Sequence, residues 1–306
     1  MLAKPCLILQ NTRRMGTRLV ELLSTLAAGE GYSDSILDGV HFMRSTQRIP
    51  RRPILYEPGI FIIAQGRKRG YLGGRVYTYD AKNYLVLSVP LPFECETEGT
   101  PQKPLLGLAV SVNPATVAEL LMEMDDAPLG PVAAPRAIYA TPLNEGLCDA
   151  ATRLLECLAS PADARILGPQ IVREITYRVL CGEQGGALRA VAARHSHFGQ
   201  IHKALRRMHT GYSDSIDVES LARESGMSTS AFHHNFKAVT SSSPLQYLKT
   251  IRLHKARMLM VHEGLGAGAA AGKVGYESPS QFSREFKRLF GSTPAEEAAR
   301  IRVTLA

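Results

Sequence analysis

One supersecondary unit occurs twice in the last third of this 306-residue chain. Phe232/Phe282, Phe236/Phe286, Lys237/Lys287 and Pro244/Pro294 each recur at a spacing of 50, while Ala222/Ala271 and Gly226/Gly275 recur at 49, so the second turn is one residue longer. A repeat of this length requires each copy to be a small packed unit, and it makes the intervening Pro244–His262 a helical connector. Within the first copy, Val218–Glu224 reads as a short helix, Gly226 as the residue that permits a tight turn, and Ser228 as the cap of a second helix, Ser228–Val239. That arrangement is a helix-turn-helix, and the second copy repeats it.

The repeat also divides the faces of the second helix. Phe232, Phe236 and Val239 recur at i, i+4 and i+7 and are expected in the core, as are Phe282, Phe286 and Leu289 in the later copy. The opposite faces carry Ser230, His233, His234 and Lys237 in one copy and Ser280, Gln281, Arg284, Lys287 and Arg288 in the other. A helix that is apolar on one side and polar-basic on the other suits the DNA major groove. Ser230, His233, His234, Ser280, Gln281 and Arg284 are therefore the candidate base contacts, and Lys237, Arg252, Lys287 and Arg288 the candidate phosphate contacts. Charge agrees: residues 195–306 hold 15 Lys/Arg against 9 Asp/Glu, most of the chain's net +8.

Upstream the pattern differs. After an expected helix at Thr12–Ala28, glycines and prolines bound short β-branched and aromatic segments. Gly59–Ala64, Arg69–Leu72, Arg75–Tyr79, Tyr84–Val89 and Leu105–Val110 are expected strands, with Gly73-Gly74 as a hairpin turn. Their spacing indicates an antiparallel sandwich or small barrel. Helices are expected at Pro114–Met122, at Leu143–Leu158 with Thr141-Pro142 as its start, and at Gly168–Cys181. Gly185-Gly186 and the following segment to about 195 read as the boundary between two domains, 1–190 and 195–306. The fold class is thus α+β: an N-terminal antiparallel β-barrel plus helices, then an all-α domain with two helix-turn-helix units joined by a connector helix.

The ordered set Tyr56-Glu57-Pro58, Gln65-Gly66-Arg67-Lys68, Leu72-Gly73, Tyr77-x-Tyr79-Asp80, Tyr84-Leu85-Val86 and Arg173-Glu174-Ile175-x-Tyr177-Arg178 resembles the N-terminal domain of one AraC-type regulator subfamily. Leu221–Ser228, Phe236-Lys237, Tyr247-Leu248, Arg252-Leu253 and Ala256-Arg257 resemble the first half of the AraC-type DNA-binding domain. Val274–Ser278, Gln281–Lys287 and Gly291–Pro294 resemble its second half. The resemblance implies a cupin-like effector-binding and dimerisation domain, a first helix at His197–His209, and recognition helices at Ser228–Val239 and Ser278–Leu289. It implies promoter DNA, RNA polymerase, a small-molecule effector and a second copy of the chain as partners, and a cytoplasmic regulator associated with the nucleoid when bound to DNA. One departure stands out. Gly266–Gly272 places Ala267 and Ala270 where the family usually has large aliphatics, so a looser second unit is expected.

Other classes are disfavoured. No apolar run approaches the roughly 18–20 residues that span a bilayer, and Lys4 followed by Arg13-Arg14 is not a secretory signal. Five scattered cysteines (Cys6, Cys95, Cys148, Cys157, Cys181) without a C-x-x-C disfavour a disulfide framework, a zinc cluster or the cysteine chemistry of a repair enzyme. A metal-dependent barrel enzyme needs several histidines, and the N-terminal region has only His41, ahead of the first expected strand. His195, His197 and His202 lack a carboxylate or cysteine companion for a metal. Glu94, Glu96 and Glu98 read as one solvated strand face. Cys95 reads as a small filler, with an electrophile or redox sensor as its alternative. No enzyme activity, cofactor or metal is expected, and the effector site is not assigned. The functional expectation is a sequence-specific transcription regulator. An effector-independent or non-specific architectural DNA-binding protein is the alternative.

Overall fold

The computed structural model describes residues 16–124, 136–192 and 196–305. A helix at 16–26 (α1) precedes nine strands: β1 (Gly31–Asp34), β2 (Val40–Ser45), β3 (Ile49–Tyr56), β4 (Gly59–Gln65), β5 (Arg67–Leu72), β6 (Arg75–Asp80), β7 (Asn83–Leu87), β8 (Leu91–Glu98) and β9 (Leu105–Ser111). Helix α2 (Pro114–Glu123) and strand β10 (Ile138–Pro142) lead into α3 (Glu145–Cys157), α4 (Pro161–Ile166), α5 (Gly168–Cys181) and α6 (Gly186–Ala192). The remainder is helical: α7 (His197–Thr210), α8 (Val218–Glu224), α9 (Thr229–Thr240), α10 (Pro244–His262), α11 (Ala267–Lys273), α12 (Pro279–Phe290) and α13 (Pro294–Leu305).

The strands form one antiparallel sheet in the order β1-β2-β9-β4-β7-β6-β5-β8-β3, with β10 also paired to β7. It curls so that β2 and β9 near one end and β3 and β8 at the other line the same cavity, which is the expected barrel. Two-residue alternation sorts its side chains into two cores. Ile60 and Ile62 of β4, with Leu106, Leu108 and Val110 of β9, face one core alongside Leu23 of α1, Leu154 of α3, Ile175 of α5 and Leu188 of α6. Phe61 and Ile63, with Leu105 and Ala109, face the other. That second core continues without interruption into Phe198, Ile201, Phe232, Phe236 and Tyr247 of the helical region. Because both faces are covered there, β4 and β9 read as continuous apolar runs rather than alternating ones.

Several expectations need correction. His41 lies inside β2, not ahead of the strands, since Asp38-Gly39 (Gly39 φ +77°) turns the chain into that strand. Thr141 and Pro142 complete β10 opposite Tyr84 and Asn83, and α3 starts later, with the Asn144 side chain accepting from Leu147 N at 2.8 Å. The segment read as a boundary is helical over Gly186–Ala192, because Leu188 is fully buried in the first core. Thr12, Cys6 and His195 lie outside the described residues. The Glu94–Glu98 face is not merely solvated: Glu94 pairs with Arg51, Glu96 with Arg69, and Glu98 with Arg69 at 2.7 Å.

The helical region is tied to the sheet by polar contacts as well as by packing. Tyr247 of α10 donates its hydroxyl hydrogen to the Pro90 carbonyl at 2.6 Å, and His209 Nε2 lies 2.9 Å from the same hydroxyl. With that hydrogen committed to Pro90, His209 must donate from Nε2 and be neutral at Nδ1. Burial, with nearby Lys255 adding to it, pushes His209 down to about 4. The folded chain thus resists a proton that the unfolded chain accepts near pH 6.5. The resulting stability is complete above pH 6.5 and is lost as pH falls from 6.5 through 4. His209→Gln should flatten the urea-denaturation stability across that window, by on the order of 3 kcal/mol relative to wild type.

Candidate nucleic-acid interface and barrel cavity

The two helix-turn-helix units repeat at the level of backbone hydrogen bonds. Gly226 (φ +67°) and Gly275 (φ +83°) take the left-handed conformation after the supporting helices α8 and α11. Beside them, Met227 N donates to Ala222 O and Tyr276 N to Ala271 O, both at 3.0 Å. Ser228 and Ser278 cap the recognition helices α9 and α12 by accepting from Ala231 N and Gln281 N. Both recognition helices also end in a left-handed residue, Ser241 (φ +60°) and Gly291 (φ +80°). Phe232, Phe236, Phe282 and Phe286 are fully buried, so the aromatic stripe is core, as expected. The glycines of the second supporting helix do not hollow it out. Gly266, Gly268 and Gly272 face open space, while Ala270 and Ala271 are fully buried.

Ser230, His233, His234 and Lys237 are all exposed on α9, and Ser280, Arg284, Lys287 and Arg288 on α12. Arg284, His233 and His234 make no hydrogen bond or ion pair among the described residues, and a side chain that is to read a base must be free in this way. Gln281 is half-buried and its amide donates to Glu285 Oε1 at 3.1 Å. Glu285 also accepts from Lys249 Nζ of α10 and from Tyr276 OH, each at 2.8 Å. These contacts lock α12 against the connector and outweigh burial to hold the Glu285 carboxyl below its ordinary range.

Arg252 departs from the expected phosphate contact. Its Nε donates to Tyr212 O at 2.7 Å, Nη1 to Gly275 O at 3.0 Å and Nη2 to Asp214 O at 2.8 Å. The guanidinium is therefore spent on backbone carbonyls of the loop leading into the first unit and of the turn of the second, and positions them on one connector.

The barrel encloses a cavity of about 500 Å³. Met43, Ile54, Phe61, Leu105 and Ala109 give it apolar walls. Its charged lining is mostly cationic: Arg52 of β3, Lys68 of β5 and Arg257 of α10 face one acid, Glu57. Lys68 Nζ lies 5.6 Å from the centre of the Tyr56 ring and has no carboxylate partner among the described residues. Cys95 also lines the cavity, buried, with Sγ 3.4 Å from Tyr79 OH. His41 reaches the same cavity, stacked on Tyr32 and 2.8 Å from Asp34 Oδ1. Sequence reasoning missed these cations as a group. Alternation along β5 carried the signal: Arg67 and Arg69 pair outward with Glu98, so Lys68 between them turns inward. Among the described residues no cluster of three metal-ligating side chains occurs, and no helix is long and apolar enough to cross a membrane.

Residues 36–187 match the family described as AraC-type transcriptional regulator N-terminus, and residues 221–300 match a helix-turn-helix domain family. The chain is 40% identical over 85 residues to the RCS-specific HTH-type transcriptional activator RclR of Escherichia coli (28% of this chain, 30% of that one). It is 37% identical over 95 residues to the HTH-type transcriptional regulator AlkR of Acinetobacter baylyi, again about 31% of each. These matches thus span about a third of the relatives' length. A longer, weaker match, 24% over 246 residues, covers 78% of this chain and 88% of the virulence regulon transcriptional activator VirF of Yersinia enterocolitica. Among solved structures, an apo variant of ToxT from Vibrio cholerae superposes with TM-score 0.60 at 11% identity, over 89% of this chain and 99% of that one. The sheet-plus-helices region and the doubled helix-turn-helix are the two parts that these families describe. The chain belongs to the AraC-type transcriptional regulators.

The different settings of Arg252 and Lys287 give distinct expectations on DNA. Lys287→Ala should weaken binding on every sequence and reduce the salt slope of log K by about 1. Arg252→Met should leave the salt slope of any correctly folded fraction unchanged and instead lower the denaturation midpoint, since three carbonyls lose a charged donor. Fluorescence anisotropy at several salt concentrations, alongside denaturation, separates the two.

Proposed function

We propose that the chain is a sequence-specific transcription regulator in which residues 195–306 read promoter DNA and residues 1–190 bind a small-molecule effector and pair two chains. The observation that carries the DNA reading is the pair of matched recognition helices with free polar side chains outward, fixed on one connector by Arg252. Ser230, His233 and His234 of α9 and Ser280 and Arg284 of α12 are the proposed base contacts, with Gln281 acting from its tether to Glu285. Lys237, Lys287 and Arg288 are the proposed phosphate contacts. Arg284, exposed on α12, carries a guanidinium that can pair bidentately with guanine O6 and N7, which supports its assignment. Arg284→Ala should cost about 1–3 kcal/mol on the preferred operator and much less on an operator changed at the contacted base. Equal losses on both would make Arg284 a phosphate contact, and no preference for operator over bulk DNA would favour the architectural alternative.

The effector reading rests on the cavity. Its volume falls within the usual range for small-molecule sites, and apolar walls with cations that outnumber the one lining acid suit an acid with an apolar body. Two ToxT structures of similar fold are described as bound to an unsaturated fatty acid and to (E)-4-(8-methylnaphthalen-1-yl)but-3-enoic acid, both of which fit that description. Decanoate should bind the full-length chain by calorimetry, and Lys68→Met should weaken it at least tenfold. Equal binding of decanoate and decanol would remove the anion from the proposal. Pairing of two chains is assigned to helices between 143 and 181, where Ile166, Leu167 and Tyr177 are exposed. Sedimentation should show a dimer at micromolar concentration, and a monomer with and without DNA would contradict it.

A further inference from the structure

Arg257 stands on α10 between the cavity and the second recognition unit. On one side its guanidinium lines the cavity, where Arg52 is its like-charged neighbour. On the other it lies 4.5 Å above the ring of Phe290, the last residue of α12. Its carboxylate partner is Glu297 of α13, with Nη1 to Oε1 at a loose 3.5 Å. The side chain is mostly buried, and Nη2 lies 3.4 Å from His254 Nδ1, a neutral ring. Burial, with Arg52 adding to it and Glu297 opposing it, pushes the Arg257 guanidinium down to about 10. It is a cation with too little negative charge around it.

Glu297 does not depend on Arg257 in the same way. It is 2% exposed, accepts from Arg300 Nη2 at 2.6 Å and from Ser292 Oγ at 2.9 Å, and so closes the turn between α12 and α13. If Arg257 turns toward another anion, Glu297 keeps a cation and a hydroxyl, but its own link to the connector is released, leaving α13 held to α10 by Arg302 Nη2 donating to Met260 O at 2.8 Å.

We propose that Arg257 serves two anions in alternation, the Glu297 carboxylate and the acidic head of a cavity ligand, so that cavity occupancy is transmitted to the α12–α13 turn and the end of the second recognition helix. This rests on the reading that the cavity takes a small acid. The shift acts on the second unit because Phe290 and Glu297 both belong to it, while the first unit is anchored separately through Tyr247 and Pro90.

The test uses the full-length chain, decanoate and decanol, with calorimetry and hydrogen exchange read over residues 292–302. Glu297→Gln removes the competing carboxylate while keeping its shape, and should bind decanoate about three- to tenfold more tightly than wild type. Decanoate should speed exchange of the 292–302 segment in wild type and add nothing in Glu297→Gln, where exchange is already fast; decanol should leave it unmoved. Arg257→Gln, which leaves Glu297 its other two partners, should weaken decanoate and make the segment indifferent to it. If wild type binds decanoate and Lys68→Met loses it, but Glu297→Gln binds within twofold of wild type and the segment's exchange is unmoved by decanoate, the exchange of partners is overturned and the cavity reading stands. If wild type does not bind decanoate at millimolar concentration, the cavity reading fails and the exchange falls with it.

Discussion

The guanidinium of Arg252 holds together what the DNA-binding region needs held. Two reading helices are useful only if their separation and relative rotation are set before DNA arrives, because ordering them on the duplex would subtract from the contact energy. The connector α10 alone fixes an axis but not the attitude of the units hung on it. Arg252 donates to Tyr212 and Asp214 before the first unit and to Gly275 in the turn of the second. Charge-assisted bonds of this kind are worth about 1.5–3 kcal/mol each, and their planar fork also restricts angles in a way that apolar packing does not. Lys249, one turn earlier on the same helix, adds a second strut through Glu285.

The sheet places the barrel cavity next to that assembly. Since both of its faces are covered, the barrel has no idle side: one carries the helices α1 to α6, the other the cavity and the first reading unit. The hairpin tip at Gly73 presses so closely on Ser241, the left-handed end of the first recognition helix, that a Cβ at Gly73 would sit 2.6 Å from the serine oxygen. The connector passes over the mouth of the barrel and contributes Arg257 to it. The cavity and the second helix-turn-helix unit thus share one side chain, that of Arg257.

Much of this was legible in the sequence. The C-terminal elements followed from repeat and capping: Ser228, Ser278 and Pro244 mark helix starts, and Phe-x-x-x-Phe marks the buried stripe. Local patterns of that kind persist because each unit packs on itself. The β region was read less completely. β1, β2 and β3 are short or polar, and β8 alternates charge with apolar residues, so their strand character depends on partners distant in the chain. Arg252 and Arg257 sit five residues apart on one helix and share a residue type, yet one caps carbonyls and the other faces a cavity. Helical periodicity gives each a direction on α10 but does not say what lies there. The same limit hid Lys68 among three consecutive cations, Arg67, Lys68 and Arg69.

The three apolar clusters have a consequence for how the molecule comes apart. The cluster containing the barrel interior and the first unit includes Ile251, and the cluster of the second unit begins at Leu253. The natural seam between cooperatively melting blocks therefore falls in the middle of the connector helix, not near residue 190, where the sequence alone suggests a boundary. The barrel and the first helix-turn-helix unit should open together, and the second unit should open alone, so a partly unfolded chain would keep its barrel and one recognition helix. The residue at that seam, between the two clusters, is Arg252.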